Sequence, residues 1–218
     1  MAAVLYPVYT VCLLLLLGWS FSLYQHSHEV GLFVLVLIII AITYDNLIVS
    51  IGRWIGPGGI LLSLSHPRFI GHVLLTPLSL VAAFKLCFQS GVDWALNPAS
   101  CQSAWIAVGV LITAEVLLYY REFEPSPAWF QGTLRYTNSA YKIPPVPSIL
   151  TTIMVGILGW MIWRESGDAW LLASSVVMFL GGAVPQCLAG PVVCSGAEVV
   201  LMTGFCMTAA NLQSSIPV

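Results

Sequence analysis

Apolar side chains run along this chain in blocks of about 15 to 23 residues separated by polar turns, and that rhythm predicts the fold. The blocks fall at about Val4–Tyr24, Val30–Gly52, Phe69–Phe88, Ala104–Tyr120, Ile149–Trp163, Ala169–Ala183 and Val192–Leu212. A helical crossing of a bilayer needs about 20 predominantly apolar residues. The pattern therefore predicts an all-α bundle of about seven transmembrane helices, a single domain over residues 1–218. Pro185, Gly190 and Pro191 punctuate the last apolar stretch and divide it into two spans, because a helix does not run cleanly through them. A re-entrant hairpin there in place of two crossings would leave six. No Lys or Arg precedes the first block, which is long enough to span, so it is expected to be a retained helix rather than a cleaved leader. No internal repeat accompanies the pattern, which weakens an inverted-repeat transporter reading.

Two connections stand out by length, residues 53–68 and 121–148. The first contains Gly56-Pro57-Gly58-Gly59, read as a turn, and ends in His66-Pro67-Arg68; the second is rich in proline. With seven crossings both lie on the side of the N-terminus, together with Arg53, Arg68, Arg121, Arg135 and Lys142. The opposite side holds only Lys85 and Arg164, so five cations face two. That bias predicts a cytoplasmic N-terminus, and the endoplasmic reticulum is the expected membrane. Trp19, Trp105, Trp160, Trp163 and Trp170 gather toward the other face, as an interfacial belt does.

Composition agrees. Hydrophobic residues make up 59% of the chain and charged residues 7%, with a mean hydropathy of +0.93. Soluble domains carry about 25% charged residues, so lipid is the expected solvent. A net charge of −2 without a basic tract argues against nucleic acid as a partner. The six cysteines show neither CxxC nor regular spacing, so no zinc site or disulfide framework is indicated. Cys87 and Cys101 flank one short loop, and a disulfide between them is an expectation for that loop alone.

Charge inside lipid is costly, which makes each intramembrane ionisable residue a functional candidate. Here these are Asp45, Glu115 and Glu198, from the second, fourth and seventh blocks. Counted from the ends of their blocks, the acids lie about five to seven residues below one face, Asp45 deepest at about 10 Å. His72 stands about one turn below the same face. Tyr44 and Asn46 flank Asp45, Tyr119 shares a helical face with Glu115 at i, i+4, and Tyr9 belongs to the same end. One reading is that these groups merely hydrogen-bond between helices and set packing. The other makes Asp45, Glu115 and Glu198 catalytic acids and Tyr44, Asn46, His72, Tyr119 and Tyr9 the groups that bind substrate.

The missing motifs narrow the chemistry. Asp45, Asp93 and Asp168 are far apart, so no DDxxD-like cluster points to magnesium-assisted ionisation of a diphosphate. GxSxG, P-loop and HExxH patterns are absent, and no cofactor is expected. A desolvated carboxyl can stay protonated and act as a general acid. It would protonate an alkene or epoxide of a long apolar substrate. Aromatic faces would stabilise the resulting cation, and exclusion of water would protect it until rings close.

In size, near-seven-span layout, scattered intramembrane acids and lack of metal motifs, the chain resembles the small integral-membrane terpene cyclases of fungal meroterpenoid pathways. The segments Tyr44-Asp45-Asn46-Leu47-Ile48-Val49 and His66-Pro67-Arg68-Phe69-Ile70-Gly71-His72 look like that family. The resemblance implies a farnesylated polar head group, a lipophilic prenylated partner, cyclised after protonation by membrane-embedded acids. The residue roles above rest on burial and not on transfer from the family. A proton-coupled transporter and a non-catalytic membrane subunit or assembly factor remain as alternatives.

Overall fold

In a computed structural model that describes residues 1–140, 145–184 and 190–214, the apolar blocks are helices. They are α1 (Ala2–Ser27), α2 (Val30–Ile55), α3 (Gly59–Gln89), α4 (Pro98–Glu115), α5 (Val146–Ser166), α6 (Trp170–Ala183) and α7 (Val192–Ser214). A short 3₁₀ turn, Asp93–Leu96, precedes α4, and a π-turn, Val116–Tyr120, continues it. Six of these helices are long and apolar enough to cross a membrane, and α6 is a shorter apolar helix of 14 residues. The chain is a multi-pass membrane protein.

Local chemistry sets the ends. α1 stops where His28 turns left-handed at φ 53 and its N–H returns to Tyr24 O; α5 stops likewise at Gly167, φ 78. The Asn97 side chain accepts from Ala99 N–H and Pro98 occupies the first turn, which starts α4.

Two boundaries differ from the sequence reading. The connection expected over residues 53–68 shrinks to Gly56, Pro57 and Gly58, and α3 begins ten residues before Phe69. Pro67 and Pro77 lie inside it. A proline removes one backbone donor; close by, Tyr44 Oη of α2 donates to Leu64 O at 2.8 Å and ties the two helices together. The second difference is a β-hairpin inside 121–148. β1 (Pro125–Phe130) pairs antiparallel with β2 (Thr133–Asn138) in register Phe130↔Thr133. The two-residue turn Gln131-Gly132 has φ 43 and 83, both positive, as a type I′ turn requires.

Contacts at the helix ends fix the path. Ala2 N–H donates to Gln131 Oε1 at the hairpin turn, and Val146 N–H donates to Tyr119 Oη at the end of α4. Gly190, just before α7, packs on the Phe130 ring. At the opposite end Gln213 Nε2 donates to Leu23 O, and Leu171 N–H donates to Thr208 Oγ1. Leu171 thus lies at the far end and Gly190 at the hairpin end, with the short helix α6 beginning at the former. Pro185, the first of the expected breakers, lies outside the described residues; Gly190 and Pro191 form the turn into α7.

Neighbouring helices succeed one another as α1, α2, α3, α5, α6 and α7, which returns to α1; α4 packs outside on α3 and α5. The main core, with Leu35, Ile39, Phe84, Ile162, Met202 and Phe205, fills the far half. The half beneath the hairpin carries only small apolar clusters around Tyr6 and Leu134. Trp105, Trp160, Trp163 and Trp170 are exposed on the far half, as the belt reading expects, whereas Trp19 packs against the core.

Candidate functional site

α2 and α3 run antiparallel, and an acid on one meets a base on the other. Arg68 Nε–H donates to Asp45 Oδ1 at 2.6 Å. Asp45 lies ten residues before the end of α2 and Arg68 nine after the start of α3, about 14–15 Å of helix from those ends. Asp45 is thus deeper than the sequence count placed it, and Arg68 is no loop cation. Arg68 is 8% exposed, with Nη1 lacking any hydrogen-bond partner. The Asp45 side chain keeps 32% of its surface.

Other polar groups converge on this pair. His72, one turn beyond Arg68, is within electrostatic reach of both partners, and its Nδ1 lies 3.4 Å from Thr76 Oγ1. It sits thirteen residues into α3, not one turn, because α3 starts earlier than the apolar pattern showed. Glu198 of α7 is within reach of Asp45. Arg135 enters from β2, within reach of Tyr6, Arg68, Asp45 and Cys194. Burial pulls the Arg135 guanidinium below its ordinary value; Tyr6 opposes this, and Arg68 adds to it. Tyr6 is fully buried, and its hydroxyl faces Ser195 without reaching a partner in hydrogen-bonding geometry.

His72 is exposed, and Asp45 and Glu198 keep part of their surface. The three side chains, from α3, α2 and α7, form a polar cluster toward the hairpin end. An aromatic cluster adjoins it. Phe123 stacks with Tyr120 at 5.8 Å and meets the Phe69 edge at 5.0 Å, with His66 at 6.0 Å. Tyr120 is within reach of Asp45, Arg68 and Glu115.

The structure therefore brings Asp45, His72 and Glu198 together. Glu115 is within reach of Tyr120 but of neither His72 nor Glu198; it is 4% exposed, with Oε2 unpartnered. The remaining candidates hold the bundle. Tyr44 braces α3 at Leu64. Asn46 donates to Ile42 O and shares a stripe with Ser50, whose hydroxyl meets Thr10 of α1 at 3.4 Å. Tyr119 takes the first N–H of α5, while its carbonyl accepts from Asn138 Nδ2 at 2.8 Å. Tyr9 closes on Gly196 of α7, where a Cβ would lie 2.8 Å from its hydroxyl.

Arg68 and Arg135, which the sequence reading left in connections, are the residues near this cluster that it missed. The available signal was Arg68 and His72 at i, i+4, on one face of what proves to be a single helix. Cys87 and Cys101 are both free, with Cys87 wholly buried in α3, so the disulfide expected between them is not formed; Cys187 lies outside the described residues. Among the described residues no three His, Cys, Asp or Glu side chains converge as metal ligands. No protein-family model, curated protein or solved structure matches the chain.

Proposed function

We propose that the chain is a membrane-embedded terpene cyclase that closes rings in a prenylated, lipophilic intermediate without metal. The observation that carries this reading is that Asp45 lies within reach of Glu198 and of Tyr120, whose ring packs with Phe69 and Phe123; we read the space these groups face as a substrate chamber. Asp45 accepts from Arg68 and so serves as the anion of that pair. Glu198 makes no hydrogen bond or ion pair among the described residues, which suits it better to donating a proton than Asp45, the donor the sequence reading favoured. Its proton would pass to the terminal alkene carbon or epoxide oxygen of the substrate. Internal alkenes then attack the cation in turn, and loss of a proton next to the last cation returns the charge balance. The reaction is a net isomerisation. Aromatic faces near the path stabilise the cation, and the apolar far half excludes water.

That same far core favours a one-ended chamber over a relay, since the polar groups end at mid-depth and apolar side chains follow. We place the hairpin on the cytoplasmic side of the endoplasmic reticulum membrane. With Arg68 and Arg135 engaged in the site, the cation bias is three (Arg53, Arg121 and Lys142, the last outside the described residues) against two, in the same direction.

The test is conversion of a linear farnesylated phenol and its terminal epoxide in microsomes, without added metal or nucleotide, read as a product of unchanged mass and new retention. Glu198→Gln should lower turnover by about 10²–10⁴-fold, the usual share of general acid catalysis, while protein level stays matched. No conversion by the native chain, or full turnover by Glu198→Gln, overturns the reading.

A further inference from the structure

Away from the acid cluster, α5 and α6 part on their outer flank. A cavity of about 360 Å³ opens sideways between them, within the range of about 300–1,000 Å³ usual for small-molecule sites. Gly156 and Ser175 lie at its floor, where small side chains leave room, and the exposed Ile157, Val176 and Phe179 stand around it. Its hydroxyls are already used. Ser175 Oγ donates to Leu171 O at 2.7 Å and Thr152 Oγ1 to Ser148 O at 3.0 Å, each within its own helix. The groove therefore offers a guest apolar contact and shape, not hydrogen bonds.

Position narrows the guest. Trp160 lines one end of the groove and is one of the exposed tryptophans of the far half, the level of a membrane interface. Thr152, at the other end, stands eight residues earlier on α5, about 12 Å of helix away. One leaflet is about 15 Å deep, half of a hydrocarbon core of about 30 Å. The groove thus runs through one leaflet, the reach of a lipid chain, whereas a partner helix would run through both. The interface end also carries a cation. Arg164, one turn beyond Trp160, holds its guanidinium 5.7 Å from the Trp160 ring centroid. It forms no ion pair among the described residues, not even with the adjacent Glu165, and the Asp168 carboxylate is taken by Thr208 and Asn211. A guanidinium at headgroup height over an apolar groove complements a phosphate over an acyl chain.

We infer that the α5–α6 groove seats one acyl chain of a phospholipid whose phosphate is held by Arg164. The site is separate from the acid cluster, so it stands or falls irrespective of turnover.

The test titrates the full chain, purified in dodecyl maltoside, with dioleoyl phosphatidylglycerol under native mass spectrometry. Dioleoylglycerol, which has the same chains and no phosphate, and farnesol are the controls. Arg164→Gln removes the cation from an exposed position. Gly156→Leu fills the floor, where the first added carbon meets Ser175 Cβ at an ordinary 3.5 Å. A saturable one-to-one adduct is expected, weakened about tenfold or more by either variant, the scale of a hydrogen bond to a charged group. Dioleoylglycerol should bind the native chain no better than the phospholipid binds Arg164→Gln. Should Gly156→Leu fail to fold, Val176→Trp narrows the groove from an exposed position instead. Equal binding of dioleoylglycerol, undiminished binding in Arg164→Gln, or no saturable adduct overturns the inference. A dimer that the filled groove abolishes would give the site to a second copy, and farnesol bound as tightly as the phospholipid would give it to a free isoprenoid chain. Either result overturns it as well.

Discussion

Gly52 of α2 lies directly beneath the main-chain carbonyl of Leu134 in β2, where any Cβ would overlap that oxygen. The hairpin is thereby seated on helix backbone. Leu134 and Tyr136 pack with Ile48 and Leu61, and Gly58 N–H donates to Tyr136 Oη at 3.2 Å. Arg135 stands between those two residues, so the seat also fixes the stretch of β2 that carries it.

Gly52→Ala should therefore lift the hairpin and cost about 1–3 kcal/mol, the usual range for overpacking. Limited proteolysis should cut faster between residues 121 and 145. Gly18→Ala, with nothing within 4 Å of its Cβ, is the matched control and should be neutral. Equal melting temperatures for the two variants would show that the hairpin is not seated there.

Breaking the Asp45–Arg68 pair from one side should be worse than removing both partners. Asp45→Ala leaves a buried guanidinium uncompensated, at a cost of about 3–5 kcal/mol. Asp45→Ala combined with Arg68→Leu should recover most of that loss. A double-mutant cycle on denaturation in mixed micelles measures the coupling, and additive effects would mean that the two side chains do not interact.

A crossing by α6 as well as by the six long helices would put the hairpin turn and the end of α7 on opposite faces. Reporters inserted between Gln131 and Gly132 and fused after Val218 should read opposite compartments, with the hairpin reporter cytoplasmic. Both on one side would reduce the crossings to six and turn α6 into part of a re-entrant element.

In the microsomal assay the three acids should separate. Glu198→Gln should cost most, Asp45→Asn less, and Glu115→Gln least, since Glu115 acts on Tyr120 and on neither Glu198 nor His72. A reversed order, with Glu115→Gln abolishing turnover at matched protein levels, would move the proton donor to α4.

The bundle was legible because lipid imposes a simple rule: a crossing must be long and apolar, and six helices meet it. The start of α3 was not. Proline and glycine between residues 57 and 67 read as loop in any soluble context, and a helix across them leans on its neighbours, as at the Tyr44 bond to Leu64 O. Losing those residues to a loop also hid Arg68 from the site and inflated the surface charge count. The hairpin was obscured by the surrounding prolines, although Gln131-Gly132 between two six-residue strands carried the turn signal. Depth along a helix is readable from sequence, and Asp45, His72 and Glu198 do share a layer. Direction around the axis is harder, which is why Glu115 shared that layer on paper and faces Tyr120 in the fold.

Asp45 and Arg68 sit on consecutive helices joined by three residues, whereas Glu198 arrives more than a hundred residues later. This order matters while the chain is being made. α2 and α3 can leave the translocon as one hairpin with their opposite charges already matched, so neither has to enter lipid bare. The third acid reaches the chamber only when α7 closes against α1. A nascent chain stalled after α6 would hold the ion pair but present its open flank to the membrane, the state a quality-control protease meets first.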